Sequence, residues 1–128
     1  MIFTNNPTAR EYLSAQPGSE DFKVNWVGFP AMEVLVAARV AIRQGASLIS
    51  NPMAGATNKK PINPYISVVT TPQLDAVDFS SVKRINEAIA VYKNNGKLRF
   101  FAHHDDTVKR FQDMDMEMLA SLLQSFNL

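Results

Sequence analysis

Two apolar runs, Ser47-Leu48-Ile49-Ser50 and Tyr65-Ile66-Ser67-Val68-Val69-Thr70-Thr71, constrain the fold more than any other feature of the chain. Both read as strands, the second rich in β-branched residues and closed by Pro72. The stretch between them contains no helix, and a parallel crossover normally carries one, so the pair is expected to be antiparallel. Upstream, β-like and helix-like runs alternate. Met1 to Thr4 is a brief apolar start, stopped by Asn5-Asn6-Pro7, and residues 8–16 have helical character before Pro17-Gly18. Phe22, Val24 and Trp26 alternate with Lys23 and Asn25 as in a half-buried strand. A helix entered at Pro30 runs through Met32, Val34, Leu35, Val36, Val40 and Ile42 to Gly45. Its nearly all-round apolar surface predicts packing on more than one side.

Downstream, Asp78 suits the N-cap of a helix with Phe79, Val82, Ile85, Ile89 and Tyr92 on its apolar face, stopped by Asn95-Gly96. Lys97 to Ala102 reads as a further strand or an ordered link. The last helix starts near Asp105 or Asp106, with Val108, Phe111, Met114, Met118, Leu119, Leu122 and Phe126 on its core face and Met116 on the other side. The expected fold is α/β: a small mixed, partly parallel sheet flanked by helices in a three-layer sandwich. Residues 1–128 are expected to form a single domain, with residues 104–128 a C-terminal helix packed on it.

With 46% apolar residues in 128, a core can form without staples. The formal charge of +1 argues against nucleic acid or an anionic membrane as partner, since either needs a basic excess. The absence of cysteine excludes disulfides, thiolate metal sites and cysteine nucleophiles. No stretch approaches the roughly 20 apolar residues of a membrane helix, and residues 1–7 lack the basic and apolar regions of a signal peptide. A cytoplasmic location is the expectation.

The connection over residues 51–64 is about fourteen residues long, against roughly 2–5 for a hairpin loop. It combines Gly55 with donors on Asn51, Thr57, Asn58, Lys59, Lys60 and Asn63, which suits a phosphate or carboxylate. The structural alternative is a surface loop shaped by Pro52, Pro61 and Pro64. Thr4, Asn5 and Asn6 stand where a first strand passes into a helix, the end at which ligands of open α/β sheets lie. An Asx turn with a helix cap explains the same residues. Arg39 and Arg43 share a helix face, as an anion clamp would, or as a solvated stripe beside Glu33. His103-His104-Asp105-Asp106 offers metal-ligand residue types, but adjacent histidines point apart and no cysteine completes a shell. No metal and no cofactor is expected, and no nucleotide-loop or G-x-S-x-G pattern occurs.

The run Gly45-Ala46-Ser47-Leu48-Ile49-Ser50-Asn51-Pro52-Met53-Ala54-Gly55, with Asn63-Pro64-Tyr65, Thr4-Asn5-Asn6-Pro7 and the Glu33-Val34-Leu35 to Arg39 helix, resembles the GrdX family. The similarity covers residues 1–95. It implies a small protein encoded beside the glycine, sarcosine and betaine reductase genes of amino-acid-fermenting anaerobes. Ala46 and Asn51 stand where the family often has histidines, which argues against histidine chemistry here. Thr4 to Pro7 and Asn51 to Gly55 would converge if their strands were neighbours and parallel. The leading reading is a non-enzymatic accessory domain with a small anionic ligand or a protein partner at that edge. Its candidate site residues are Thr4, Asn5, Asn6, Glu33, Arg39, Asn51, Gly55, Lys59, Lys60 and Asn63. A small enzyme acting there on a carboxylate or phosphate, and a homo-oligomer joined through Phe111, Met118 and Phe126, are the alternatives.

Overall fold

The elements follow in the order β1 (Ile2–Thr4), α1 (Pro7–Ala15), β2 (Val24–Trp26), α2 (Ala31–Arg43), β3 (Ala56–Thr57), β4 (Lys60–Pro61), β5 (Ser67–Val69), α3 (Phe79–Asn94) and α4 (Asp105–Ser125). The structure, a computed structural model, describes residues 1–16, 23–54, 56–57, 60–61, 63–74, 76–94 and 105–125. Phe22, residues 97–102, His103 and His104 lie outside the described residues.

β1 is the middle strand of a mixed sheet of order β2-β1-β5. It runs parallel to β2, with Ile2 opposite Val24, and antiparallel to β5, with Ile2 opposite Val69. The period-two alternation sorts these strands between two cores. Phe3 and Val68 face α2 and α3, with Val34, Leu35, Ile42 and Ile85. Ile2 and Val69 face α1 and α4, with Leu13, Met116, Leu119 and Leu123. Full burial of each large aliphatic side chain contributes about 2 kcal/mol, so both layers hold the sheet. The α/β sandwich with a partly parallel sheet is the architecture the strand–helix alternation implies.

Residues 47–50 extend the sheet beyond β5, antiparallel as expected, but through a single bridge between Leu48 and Thr70 rather than a strand. The reason lies in Ser50. The backbone N–H groups of Ile49 and Ser50 both donate to the Val69 carbonyl (2.8 and 3.2 Å), while Val69 N donates to Ser50 Oγ (2.8 Å). Two residues oppose one, and a hydroxyl replaces the next rung of the ladder. The long connection that follows contains the short antiparallel pair β3–β4, where an irregular loop was expected.

Several local expectations hold. Asn6 Oδ1 accepts from Thr8 N and caps α1. Gly45, at φ +113°, closes α2 with the paired bonds Gly45 N to Ile42 O and Ala46 N to Ala41 O. Asp78 accepts from Ser80 N and Ser81 Oγ at the start of α3. α2 packs on both the sheet and α3, although Val40 remains exposed.

Two helix faces differ from expectation. Phe79 is 80% exposed, and Ser81 takes the buried place, donating to Asp78 and accepting from Leu48 N. In α4 the buried seam is Asp115, Met116, Leu119 and Leu123, whereas Met114 and Met118 are about two-fifths exposed at 41% and 42%. The helix is turned so that a carboxylate, which hydropathy counts against burial, enters the interior.

Candidate functional site

The end of β1 is fastened by amides. Asn5 Nδ2 donates to the Pro64 carbonyl (3.0 Å) and its Oδ1 accepts from Ile66 N (2.9 Å). Asn63 Oδ1 accepts from Tyr65 N and its Nδ2 donates to the Phe111 carbonyl of α4, both at 2.9 Å. Asn6, besides capping α1, donates from Nδ2 to the Gln112 carbonyl (2.8 Å) and to Asp115 Oδ2 (2.9 Å). Thr4, Asn5, Asn6 and Asn63 are therefore brought together, but all four are buried and engaged with β5, its approach or α4.

Asn6 of this group, with Ser67 of β5, places Asp115. Ser67 Oγ donates to the same Oδ2 at 2.7 Å, and Thr4 Oγ1 lies 2.8 Å from Ser67 Oγ. Thr4 Oγ1 also donates toward the Ile66 carbonyl (3.3 Å) and accepts from Asn6 N (3.0 Å). Both side-chain hydrogen bonds fall on Oδ2, so that among the described residues Oδ1 has no side-chain donor, and the Ser67 backbone N–H adds a further hydrogen bond to the carboxylate. Burial pushes the Asp115 carboxyl above the usual carboxylate range, while the Ser67 and Asn6 hydrogen bonds pull it back. No Lys or Arg pairs with it among the described residues; the one ion pair recorded there joins Lys109 to Asp113.

Asp115 lines a cleft of about 120 Å3 between residues 50–54, β5 and α4. Ser50, Asn51 and Ser67 supply its other polar groups, and Ala54, Val69, Met118, Leu119 and Leu122 its apolar wall. A dry cavity of about 150 Å3 accepts a benzene ring, so this one accommodates about half a dozen heavy atoms. Asn51, at the exposed rim, has Oδ1 engaged by Met53 N (2.9 Å). Arg84 of α3 reaches the Ser50 carbonyl (3.5 Å) without lining the cleft.

β1 and residues 47–50 do run in the same direction, since each is antiparallel to β5, but β5 lies between them. Convergence is thus across one strand, through Asp115 and Ser67, rather than between neighbours. Glu33 and Arg39 lie on α2, which covers the opposite face of the sheet. Glu33 is exposed, and Arg39 reaches Asn86 of α3 at 3.5 Å. Gly55 and Lys59 lie outside the described residues, and of Lys60 only the backbone, in β4, is described.

Sequence reasoning missed Asp115, Ser67 and Ser50. A signal for the first was present, since Asp115 stands four residues before the buried Leu119, within the apolar stripe of α4. Among the described residues, no cluster of three His, Asp or Glu comes together and no helix is long and apolar enough to cross a membrane.

No curated protein and no solved structure matches the chain. A family model, that of the GrdX-like proteins, does match, over residues 1–124. The likeness therefore extends beyond residue 95 and through almost all of α4, the helix that carries Asp115. The chain belongs to the GrdX-like protein family.

Proposed function

We propose that this GrdX-like protein is a non-enzymatic accessory domain of amino-acid reductase systems, and that it binds a small molecule in the cleft above Asp115. The observation that carries the reading is a buried carboxylate, held by Asn6 and Ser67 from two distant parts of the chain, in the wall of a cavity. A purely structural carboxylate needs no cavity beside it. The Asn5-Asn6 turn contributes from behind, by holding α4 and Asp115, and the 51–64 connection contributes its first residues as the rim.

Binding rather than catalysis is supported by the lining. General acid–base chemistry usually pairs two titratable groups of different pKa, and Asp115 is the one such group among the lining residues. The test is a screen of small neutral, anionic and cationic probes, read by thermal shift and by the methyl resonances of Met118 and Leu122. At least one probe raises the melting temperature and moves those resonances, and Ala54→Phe, which occludes the cleft from an exposed position, abolishes both effects. Silence across the panel would remove the small-molecule reading in favour of a protein partner.

A further inference from the structure

We infer that the ligand of this cleft is a small alkylammonium, its charged head on Asp115 and its alkyl part against Met118, Leu119 and Leu122. This rests on the small-molecule reading above and names the ligand's chemical class. The described wall contains one acidic side chain and no basic one. An anion would meet a like or a neutral charge there, whereas an ammonium supplies the counter-charge that no described residue gives Asp115. Charge-assisted N–H···O contacts are roughly twice as strong as neutral ones, and most so where water is thinned out.

The rest of the wall agrees with that assignment. An ammonium has three donors and no acceptor, so it needs acceptors around it. Among the described residues Asp115 Oδ1 has no side-chain donor, the carboxylate's further hydrogen bond coming from the Ser67 backbone, and Ser50 Oγ and Ser67 Oγ carry lone pairs on the same wall. Beside Asp115 lie methyl and methylene groups of Met118, Leu119 and Leu122, one turn and two turns further along the same helix, and of Val69 on β5, which suit two to four carbons within about 120 Å3. A divalent cation is a poorer fit: a single carboxylate faces a wall that is largely apolar, and hard cations take six or more oxygens.

The test is titration calorimetry and methyl-resolved NMR with n-propylammonium, set against butyrate and n-butanol, at constant ionic strength and at pH 8. Propylammonium saturates and shifts the Met118 and Leu122 methyl signals, butyrate and butanol bind at least tenfold more weakly, and Asp115→Asn weakens propylammonium at least tenfold. The folded state of Asp115→Asn is checked by its melting curve. Should that variant not fold, Ala54→Phe carries the test, because it must remove propylammonium binding without altering Asp115. If butyrate or butanol binds as well as propylammonium, or if a folded Asp115→Asn binds it unchanged, the ammonium assignment fails and the cleft remains a binding site for something else. If none of the three moves a cleft resonance, the ammonium assignment fails; if the wider probe screen is silent too, the small-molecule reading fails with it.

Discussion

Asn6 Nδ2 donates to Asp115 Oδ2 at 2.9 Å across 109 residues of sequence. The same asparagine caps α1 through Oδ1, so one side chain ties the first helix, the central strand and the last helix together. Replacing it by alanine removes a cap, costing about 1 kcal/mol. It also removes a hydrogen bond to a buried carboxylate, costing about 1.5–3 kcal/mol. Asn6→Ala is therefore expected to lose about 3 kcal/mol in urea denaturation. Combined with Asp115→Asn, the two losses should fall short of additivity by about 1 kcal/mol or more. Strict additivity would mean that the contact does not hold α4 in place.

The raised pKa of Asp115 sets a direction for the acid limb of the stability curve. In the unfolded chain this carboxyl ionises at about 3.9. Between that pH and its higher folded value, the folded chain keeps a proton that the unfolded chain has released. Stability therefore falls as pH rises through this window and levels off above it. Asp78 acts oppositely: the Ser81 hydroxyl, chiefly, lowers its pKa, so its contribution is present above the ordinary carboxylate range and fades as pH drops below it. Tyr92, the other titratable group that feels Asp115, ionises at about 12 and is silent in this range. Urea melts of wild type and Asp115→Asn from about pH 4 to pH 8 should show a decline in the wild type that the variant lacks. Identical slopes would count against a perturbed Asp115.

What could be read from the sequence follows from how local each signal is. The Asp78 cap and the Gly45 stop are short-range, since both depend on residues within one helical turn. The antiparallel arrangement of residues 47–50 with β5 was legible because the connection carries no helix. The burial of Asp115 was not, because its partners are Asn6 and Ser67, and hydropathy alone places a carboxylate outside. With Asp115 turned inward, Met116 and Leu123 join Leu119 in the buried seam while Met114 and Met118 are left partly exposed, which shifts the face that periodicity predicts. Ser50 misled in the same way: its hydroxyl takes a backbone N–H that a regular strand would have paired with a carbonyl.

Gly45 provides a conformational test of the α2 terminus. Its φ of +113° is disfavoured for any residue with a side chain, and an added Cβ would run into the Leu74 carbonyl. That carbonyl belongs to backbone held in place by the Leu74 N to Gly45 O hydrogen bond (3.1 Å), so it yields poorly. Gly45→Ala is expected to lose about 2 kcal/mol or more in chemical denaturation. Gly28 is the matched control: a Cβ there meets nothing within 4 Å. Gly28→Ala should leave the midpoint nearly unchanged, and equal losses at the two positions would refute a specific requirement at Gly45.

Tyr92 carries a cost of the opposite kind. Its ring belongs to the core between the sheet, α2 and α3, but its buried hydroxyl has no hydrogen-bond partner among the described residues. Burial, and then the charge of Asp115, push its pKa to about 12. An unpaired buried hydroxyl costs about 1–3 kcal/mol, whereas the phenyl ring of phenylalanine fills the same space without it. Tyr92→Phe is therefore expected to raise stability by about 1 kcal/mol at neutral pH. The alkaline limb gives an independent readout. The folded chain holds the phenolic proton from the ordinary tyrosine value of about 10 up to about 12, so wild-type stability declines with rising pH across that interval. Tyr92→Phe removes this contribution, and the gap between the two proteins should widen from pH 10 upward. A destabilised variant with an unchanged alkaline limb would show that the hydroxyl is satisfied in solution.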